Sequence, residues 1–495
     1  MNRRKIVIIG SGPGGLTAGM LLASKGYKIE VFEKKDYLGG RNSAITADGY
    51  TFDLGPTFLM MKYILDEMFE LTGRNIEDYL DIKSIDPLYR LSFTDGREFY
   101  PSIDRKATAE QIKELFPGNE QGYERFFAYE EKKFKRLVPC LQIPYASPRD
   151  FLATRLIKAL PYLDAHRNLY DHLSKYFDDH HLRTAFTFQA KYLGMSPWHC
   201  PATYSIIPYL EYGLGIYHPI GGLNQITKAM ATVVEEEGGT IHLGAGVKQV
   251  LIRNGRAVGV LLENGEKVDA HDVILNADFA YAMQHLVPEK ERPHYTDALL
   301  ERKKYSCSTF MLYLGLDKQY DIPHHNIIFA QDYKHNVDEI TETLTLSEDP
   351  SFYIQNATVT DPGLAPEGHS TIYILVPVAN NFSDIDWEKE APAFRDKIID
   401  RLETRCGLTQ LQQHIRYEKI ITPLDWEQDK YVYKGATFNL AHNVRQMLHW
   451  RPHNKFEDID NCFLVGGGTH PGSGLPTIFE SGRISSGIIL KRDCW

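Results

Sequence analysis

Ile6-Val7-Ile8-Ile9-Gly10-Ser11-Gly12-Pro13-Gly14-Gly15 decides the fold class of this chain. Its unbroken apolar run reads as a strand covered on both faces, and the glycines that follow at once make a tight turn. Leu16 to Ser24 is predicted to be a helix that Gly26 ends. Lys28-Ile29-Glu30-Val31-Phe32 is predicted to be a second strand, with Glu33 directly after it. In such a unit Gly10 permits the turn, Gly12 lets the backbone approach a pyrophosphate, and Gly15 lets helix and strand pack closely. The helix N-terminus faces the phosphates, and an acid about 20 residues past the turn accepts hydrogen bonds from a ribose. A glycine fingerprint alone is weak evidence, but here strand, turn, helix, strand and acid fall in order. Pro13, Gly14 and Lys34 join the candidate cofactor-binding set.

Leu38-Gly39-Gly40-Arg41 follows closely. A second glycine turn with an arginine suits a second phosphate contact through charge-assisted hydrogen bonds, which a flavin dinucleotide would use and a nicotinamide enzyme does not need. The plain alternative is a solvated loop arginine. At the far end of the chain Cys462-Phe463-Leu464-Val465 runs into Gly466-Gly467-Gly468-Thr469-His470-Pro471-Gly472-Ser473-Gly474. Two strand-to-glycine turns at opposite ends predict one cofactor domain assembled from both termini, with other material inserted between them.

The bulk numbers fit that layout. A chain of 495 residues predicts two domains, and 43% hydrophobic with 24% charged residues predicts a globular protein. A net charge of −10 argues against nucleic acid as partner. The six cysteines show no C-x-x-C spacing, so neither a disulfide framework nor a zinc site is expected. His180-His181 and His324-His325 are read as structural pairs without an accompanying carboxylate cluster, and no metal site is expected. The apolar run after Met1-Asn2-Arg3-Arg4-Lys5 is too short for a signal peptide. No stretch offers the roughly 20 continuous apolar residues of a membrane span.

Ser102 to Tyr217 is expected to be largely helical. Within it Leu152, Leu156, Leu160 and Leu163 recur at helical spacing, with Arg155 and Lys158 interleaved, and Pro161 ends or kinks the pattern. Such a helix lies either in a membrane interface or, with equal claim, against the core. Asn224 to Glu237 is predicted as a helix. Strands follow at Thr240 to Leu243, Gly246 to Arg253, Ala257 to Leu262 and Val268 to Leu275, with hairpin turns at Asn254-Gly255 and Asn264-Gly265. This segment is expected to return to the cofactor sheet, with Val247 against an adenine and Asn276 at the end of the last strand.

These pieces resemble the bacterial carotenoid desaturases, the phytoene and diapophytoene desaturases of the flavin amine oxidase-like superfamily. The resemblance covers nearly the whole chain. Besides the two glycine turns and Glu33 it rests on Phe52-Asp53-Leu54-Gly55-Pro56-Thr57, Tyr217-His218-Pro219-Ile220-Gly221-Gly222, Thr360-Asp361-Pro362-Gly363-Leu364-Ala365-Pro366-Glu367-Gly368, Arg451-Pro452-His453-Asn454 and Gly468 to Pro476. It implies an α/β fold with a Rossmann-like FAD-binding domain drawn from N-terminal, middle and C-terminal segments (1–100, 218–300, 421–495). A helical, membrane-facing part (101–217) and an α+β substrate domain (301–420) are inserted. It implies FAD, a long apolar polyene, an electron acceptor such as oxygen or a quinone, and a peripheral position on the cytoplasmic side of the membrane.

The implied activity is desaturation of a C40 or C30 polyene by loss of a hydride and a proton. The alternatives are a terminal oxygenase or ketolase of the same family and a non-enzymatic isoprenoid-binding protein of the same fold. The resemblance adds Gly55, Pro56, Thr57, Gly467, Gly468, Thr469, Gly474, Leu475 and Pro476 to the cofactor set and puts His470 beside the flavin ring. Arg149-Asp150 matches an Arg-Asp pair proposed to take the proton, although Asp150 equally suits a helix cap. Thr477-Ile478-Phe479-Glu480 departs from the small-residue run common in phytoene desaturases, which places Phe479 and Glu480 near the floor of the site.

Overall fold

The computed structural model describes residues Arg4–Cys494. A five-stranded parallel sheet runs in the order Thr240–His242, Lys28–Phe32, Lys5–Ile9, Asp272–Leu275, Cys462–Leu464. The N-terminal, middle and C-terminal segments are thus hydrogen-bonded neighbours, as the two glycine turns predict. The first strand shows why its run is apolar throughout. Ile6 and Ile8 enter one core and Val7 and Ile9 another, because successive side chains point to opposite faces.

The helix Pro13–Ala23 covers one face and is buried along its whole length, because the helices Asn224–Glu236 and Leu475–Arg492 pack beside it. The other face lies on a three-stranded antiparallel sheet, Val247–Arg253, Arg256–Leu262 and Lys267–Asp269. The stretch Val268 to Leu275 is therefore two strands and not one. The chain leaves the antiparallel sheet after Asp269 and joins the parallel sheet at Asp272.

A seven-stranded sheet carries the second layer, in the order Ile415–Ile421, Ser308–Leu316, Ser370–Val378, Phe352–Gln355, His325–Ile328, Arg90–Ser92, Glu98–Phe99. Phe310, Leu312, Ile372 and Ile374 turn to the helix Trp387–Arg405. Their alternates Met311, Tyr313, Tyr373 and Leu375 turn to the other face, against Tyr50, Phe52 and Leu54.

The region expected to be helical holds the helices Arg105–Leu115, Glu120–Leu137 and Ile206–Leu214 around an aromatic core of Tyr89, Phe116, Phe126, Phe177 and Phe186. The single helix expected from Leu152 to Leu163 is three short pieces, Pro148–Leu152, Thr154–Ala159 and Leu160–Tyr162. Ala153 leaves the helical region (φ −59°, ψ 123°), and the ring of Pro161 starts the last turn. Leu156 and Ala159 enter a small core, whereas Leu152, Ile157 and Leu160 point outward at 72%, 51% and 53% exposure.

Candidate active site

Both glycine turns open on one cavity. Its lining begins at Glu33, Lys34 and Val247, passes Gly10, Gly12, Pro13, Gly39, Gly40, Arg41 and Asn276, and continues to Gly467, Gly474, Leu475 and Pro476 with Gly55, Pro56 and Thr57 opposite. Of the expected cofactor residues, Gly14, Gly15, Gly468 and Thr469 stand behind this surface. Gly14 is where the two ends of the chain meet, since a Cβ there would stand 3.0 Å from the Gly466 nitrogen. A Cβ on Gly15 would stand 2.5 Å from Asn276 Nδ2 and 2.8 Å from the Gly10 oxygen, so this glycine admits the clamp that shapes the turn.

That clamp is Asn276, whose amide donates to the carbonyls of Gly10 (2.9 Å) and Gly12 (3.0 Å). Glu33 fastens the turn from the other side. Its Oε2 accepts from the Ser11 nitrogen and hydroxyl, both at 2.8 Å, and its Oε1 from the Lys35 nitrogen at 2.9 Å. The second glycine turn faces the first, with the Cβ position of Gly40 only 4.0 Å from Gly12 Cα. Arg41 is steadied by the Thr437 carbonyl (2.8 Å) and by Asp278 (3.4 Å), and its side chain keeps 32% exposure on the cavity side. Asp278 carried no expected role. Burial pushes its carboxyl up, against the pull of Arg41.

The C-terminal turn is held by side chains upstream of it. Arg451 is fully buried and, among the described residues, pairs with no carboxylate. Its guanidinium donates to the carbonyls of Gly467 (2.5 Å) and Thr469 (3.1 Å), and burial pulls its pKa down to about 10. Asn454 donates to the His470 carbonyl at 3.0 Å, and His442 accepts from the Ser473 nitrogen at 3.1 Å. The string Arg451-Pro452-His453-Asn454 thereby gains a role that its sequence did not disclose.

The three candidate catalytic residues gather on the segment 141–150, outside the cavity lining. His470 Nε2 faces the Leu141 carbonyl at 3.2 Å, and its ring stands edge-on to Tyr145 at 5.1 Å. Burial lowers its pKa to about 3, so the imidazole is neutral. Glu480 pairs with Arg483 (3.2 Å) and approaches Gln142 (3.4 Å), and burial pushes its carboxyl up. Asp150 closes a capping box with Ser147. Phe479, expected near the floor, packs in the core of the cofactor domain.

Other family strings converge behind Thr57. Asp53 accepts from the Leu223 nitrogen (2.7 Å), and Asp361 from the Gly221 nitrogen (2.6 Å) and toward His218 (3.3 Å). His324 and His325 belong to this buried group, the latter against the Tyr353 hydroxyl at 2.7 Å. The other pair, His180-His181, does have a carboxylate beside it, contrary to expectation. That carboxylate, Asp179, already caps its helix and pairs with Arg97.

Residues 13–490 match the family of flavin-containing amine oxidoreductases. The chain is 51% identical over 491 residues to a 4,4'-diapophytoene desaturase (4,4'-diapolycopene-forming) of Methylomonas sp, covering 99% of this chain and 96% of the relative. It is 39% identical to a zeta-carotene-forming phytoene desaturase of Myxococcus xanthus, covering 97% and 93%. The chain belongs to the flavin-containing amine oxidoreductases. Within them it sides with the carotenoid desaturases. The fold reaches further: wild-type putrescine oxidase bound to putrescine matches with a TM-score of 0.64 at 15% identity over 99% of each chain.

The cofactor of this flavoprotein family is FAD, and the cavity fits it. An acid stands at one end, two facing glycine turns with a helix N-terminus and an arginine in the middle, and the C-terminal glycine turn at the other end. The same cavity has an aromatic part, a chamber lined by Phe58, Met60, Phe188, Tyr192, Phe329 and Phe352. Among the described residues no helix is long and apolar enough to cross a membrane.

Proposed function

We propose that this chain is an FAD-dependent carotenoid desaturase acting on a C40 or C30 polyene of the phytoene or diapophytoene type. The observation that carries the reading is that one cavity is lined both by the glycine turns and by a set of aromatic side chains. A polyene hydrocarbon offers no hydrogen bond, so such a chamber binds it by burying apolar area, at about 25 cal/mol per Å², and positions it by shape. Bound FAD supplies a hydride acceptor whose electrons pass on to oxygen or a quinone. The chain itself excludes water and fixes the polyene against the C-terminal turn. Asp150 is the proposed acceptor of the accompanying proton.

A polyene of this kind resides in lipid, and the outward Leu152, Ile157 and Leu160, with exposed Arg155 and Lys158, suit a membrane surface on the cytoplasmic side. Trp450, 60% exposed, extends that patch beside Phe151 and His449.

Pigment analysis of cells that make phytoene or diapophytoene, with this chain added, tests the reading. New chromophores with longer conjugation are expected. An oxygen gained by a preformed polyene, with both precursors untouched, would instead point to a ketolase. Asp150→Asn keeps an acceptor oxygen for the capping box and removes the base. Turnover is expected to fall at least tenfold with flavin content and Tm preserved, and unchanged turnover would leave Asp150 a cap alone.

A further inference from the structure

The pair His324-His325 sends one member toward the cofactor cavity. His325 Nδ1 stands 2.7 Å from the Tyr353 hydroxyl, and that hydroxyl stands 2.8 Å from Thr57 Oγ1. The register explains the first contact. His325 lies opposite Gln355 and Ile327 opposite Tyr353, so His325 and Tyr353 are diagonal neighbours on one face of the sheet. The imidazole is 1% exposed, with the ring of Phe58 edge-on at 5.4 Å and that of Tyr353 stacked at 5.8 Å. Tyr353 and Thr57 line the cavity, and His325 stands behind them. Gln355 donates to the Thr57 carbonyl at 3.3 Å, so Thr57 is held through main chain and side chain alike.

Such a row of three polar groups can run in either direction. Burial holds the imidazole neutral, with its pKa down to about 3, so only one of its nitrogens carries a proton. If Thr57 donates inward, Tyr353 donates to Nδ1 and the proton sits on Nε2, which is buried without a partner. If His325 donates outward from Nδ1, Nε2 keeps only a bare lone pair. An orphaned buried N–H is the rarer and costlier of the two, which favours the outward direction. Tyr353 then donates to Thr57. Thr57 Oγ1 bonds no other group among the described residues, so it keeps a proton to donate to whatever fills the cavity. Each bond in such a row polarises the next.

The place of Thr57 names the acceptor. On one side of it Gly55 packs on the second glycine turn, where a Cβ would stand 2.5 Å from the Arg41 carbonyl oxygen. On the other side Phe58 lines the aromatic chamber. The part of FAD that lies between its phosphates and the substrate is the flavin ring. We propose that Thr57 donates a hydrogen bond to that ring, and that Tyr353 and His325 are positioning residues that aim its hydroxyl there. A ring that accepts a hydride gains negative charge, so a donor fixed against it favours the reduced flavin. The proposal takes the chamber as the substrate's side, as the function proposed above does, and names the residues that set how readily the flavin accepts electrons.

The test is the reduction potential of the flavin in the purified protein without polyene, titrated with a reductant against a reference dye. Thr57→Val should lower the ratio of reduced to oxidised flavin at fixed potential by about 10–100-fold, the equivalent of a charge-assisted hydrogen bond, or about 30–60 mV for two electrons. Thr57→Ser keeps the donor and should keep the potential. Tyr353→Phe and His325→Leu should each shift the ratio the same way by about 3–10-fold. Flavin content and Tm report folding, and Tyr353→Phe removes a single oxygen should Thr57→Val fail to fold. An unchanged potential in Thr57→Val with full flavin content overturns the proposal. So does a shift in Thr57→Val that neither Tyr353→Phe nor His325→Leu shares. Because no substrate is present, a failure of cells to form new pigment would sink the polyene reading and leave this result standing.

Discussion

The two glycine turns face the same cavity and are built by different means. The N-terminal turn is largely self-contained: Gly10 bonds the Phe32 carbonyl at 2.8 Å, Leu16 bonds the Gly12 carbonyl at 3.1 Å, and Glu33 ties down Ser11. Asn276 is its one long-range support named above. The C-terminal turn carries more glycine but borrows its shape from Arg451, Asn454 and His442, which lie upstream on irregular chain. The difference is one of chemistry and not of distance along the chain: a carboxylate and one amide hold the N-terminal turn, whereas a buried guanidinium, an amide and an imidazole hold the C-terminal one.

The contrast predicts unequal sensitivity. Arg451→Met should have the largest effect, because it leaves several buried carbonyls without a charged donor. A loss of about 3 kcal/mol and of retained flavin is expected, checked by denaturant unfolding and by the flavin spectrum. Gly12→Val should abolish flavin retention while stability stays within about 0.5 kcal/mol. Gly12 has φ −69° and its Cβ position meets only Asn276, at 3.2 Å and beyond, so the new side chain fills the cleft without straining the backbone.

Acid should act on the C-terminal turn. His470 and His442 are kept neutral by burial, His470 down to about 3 and His442 well below its ordinary value. The unfolded chain takes up their protons through about 6.5, so the fold loses stability as pH falls below that value, by about 2 kcal/mol per histidine at pH 5. His470→Gln should lower the slope of Tm against pH between 7.5 and 5 by about one-fifth, because burial keeps His172, His324, His325 and His442 neutral in the same way, and an unaltered slope would remove this histidine from the account. Asn276→Ala should cost less than Arg451→Met, about 1–2 kcal/mol, for two neutral hydrogen bonds. A loss equal to that of Arg451→Met would break the contrast between the turns.

The parts legible in the sequence are those in which neighbours along the chain are neighbours in space. The strand Lys5–Ile9, its turn, the helix after it and Glu33 interact within one short unit, and the apolar run at Cys462 signalled a second strand of the same sheet. The split of Val268 to Leu275 escaped because each strand is short and the link Ala270-His271 carries neither glycine nor proline to mark it. Nothing in the sequence says that His470 and Glu480 pack on Leu141 and Gln142, a few residues ahead of Asp150.

The sequence by itself determined the sheet that binds the dinucleotide, the two turns that face it and the family to which the chain belongs, because those depend on backbone conformation and on residue types at short spacing. Only the tertiary structure decided that Arg451 holds the C-terminal turn and that Asn276 clamps the N-terminal one. Each of these is a pairing between separate segments, set by which surfaces the packed sheets bring together and by how thoroughly water is excluded between them.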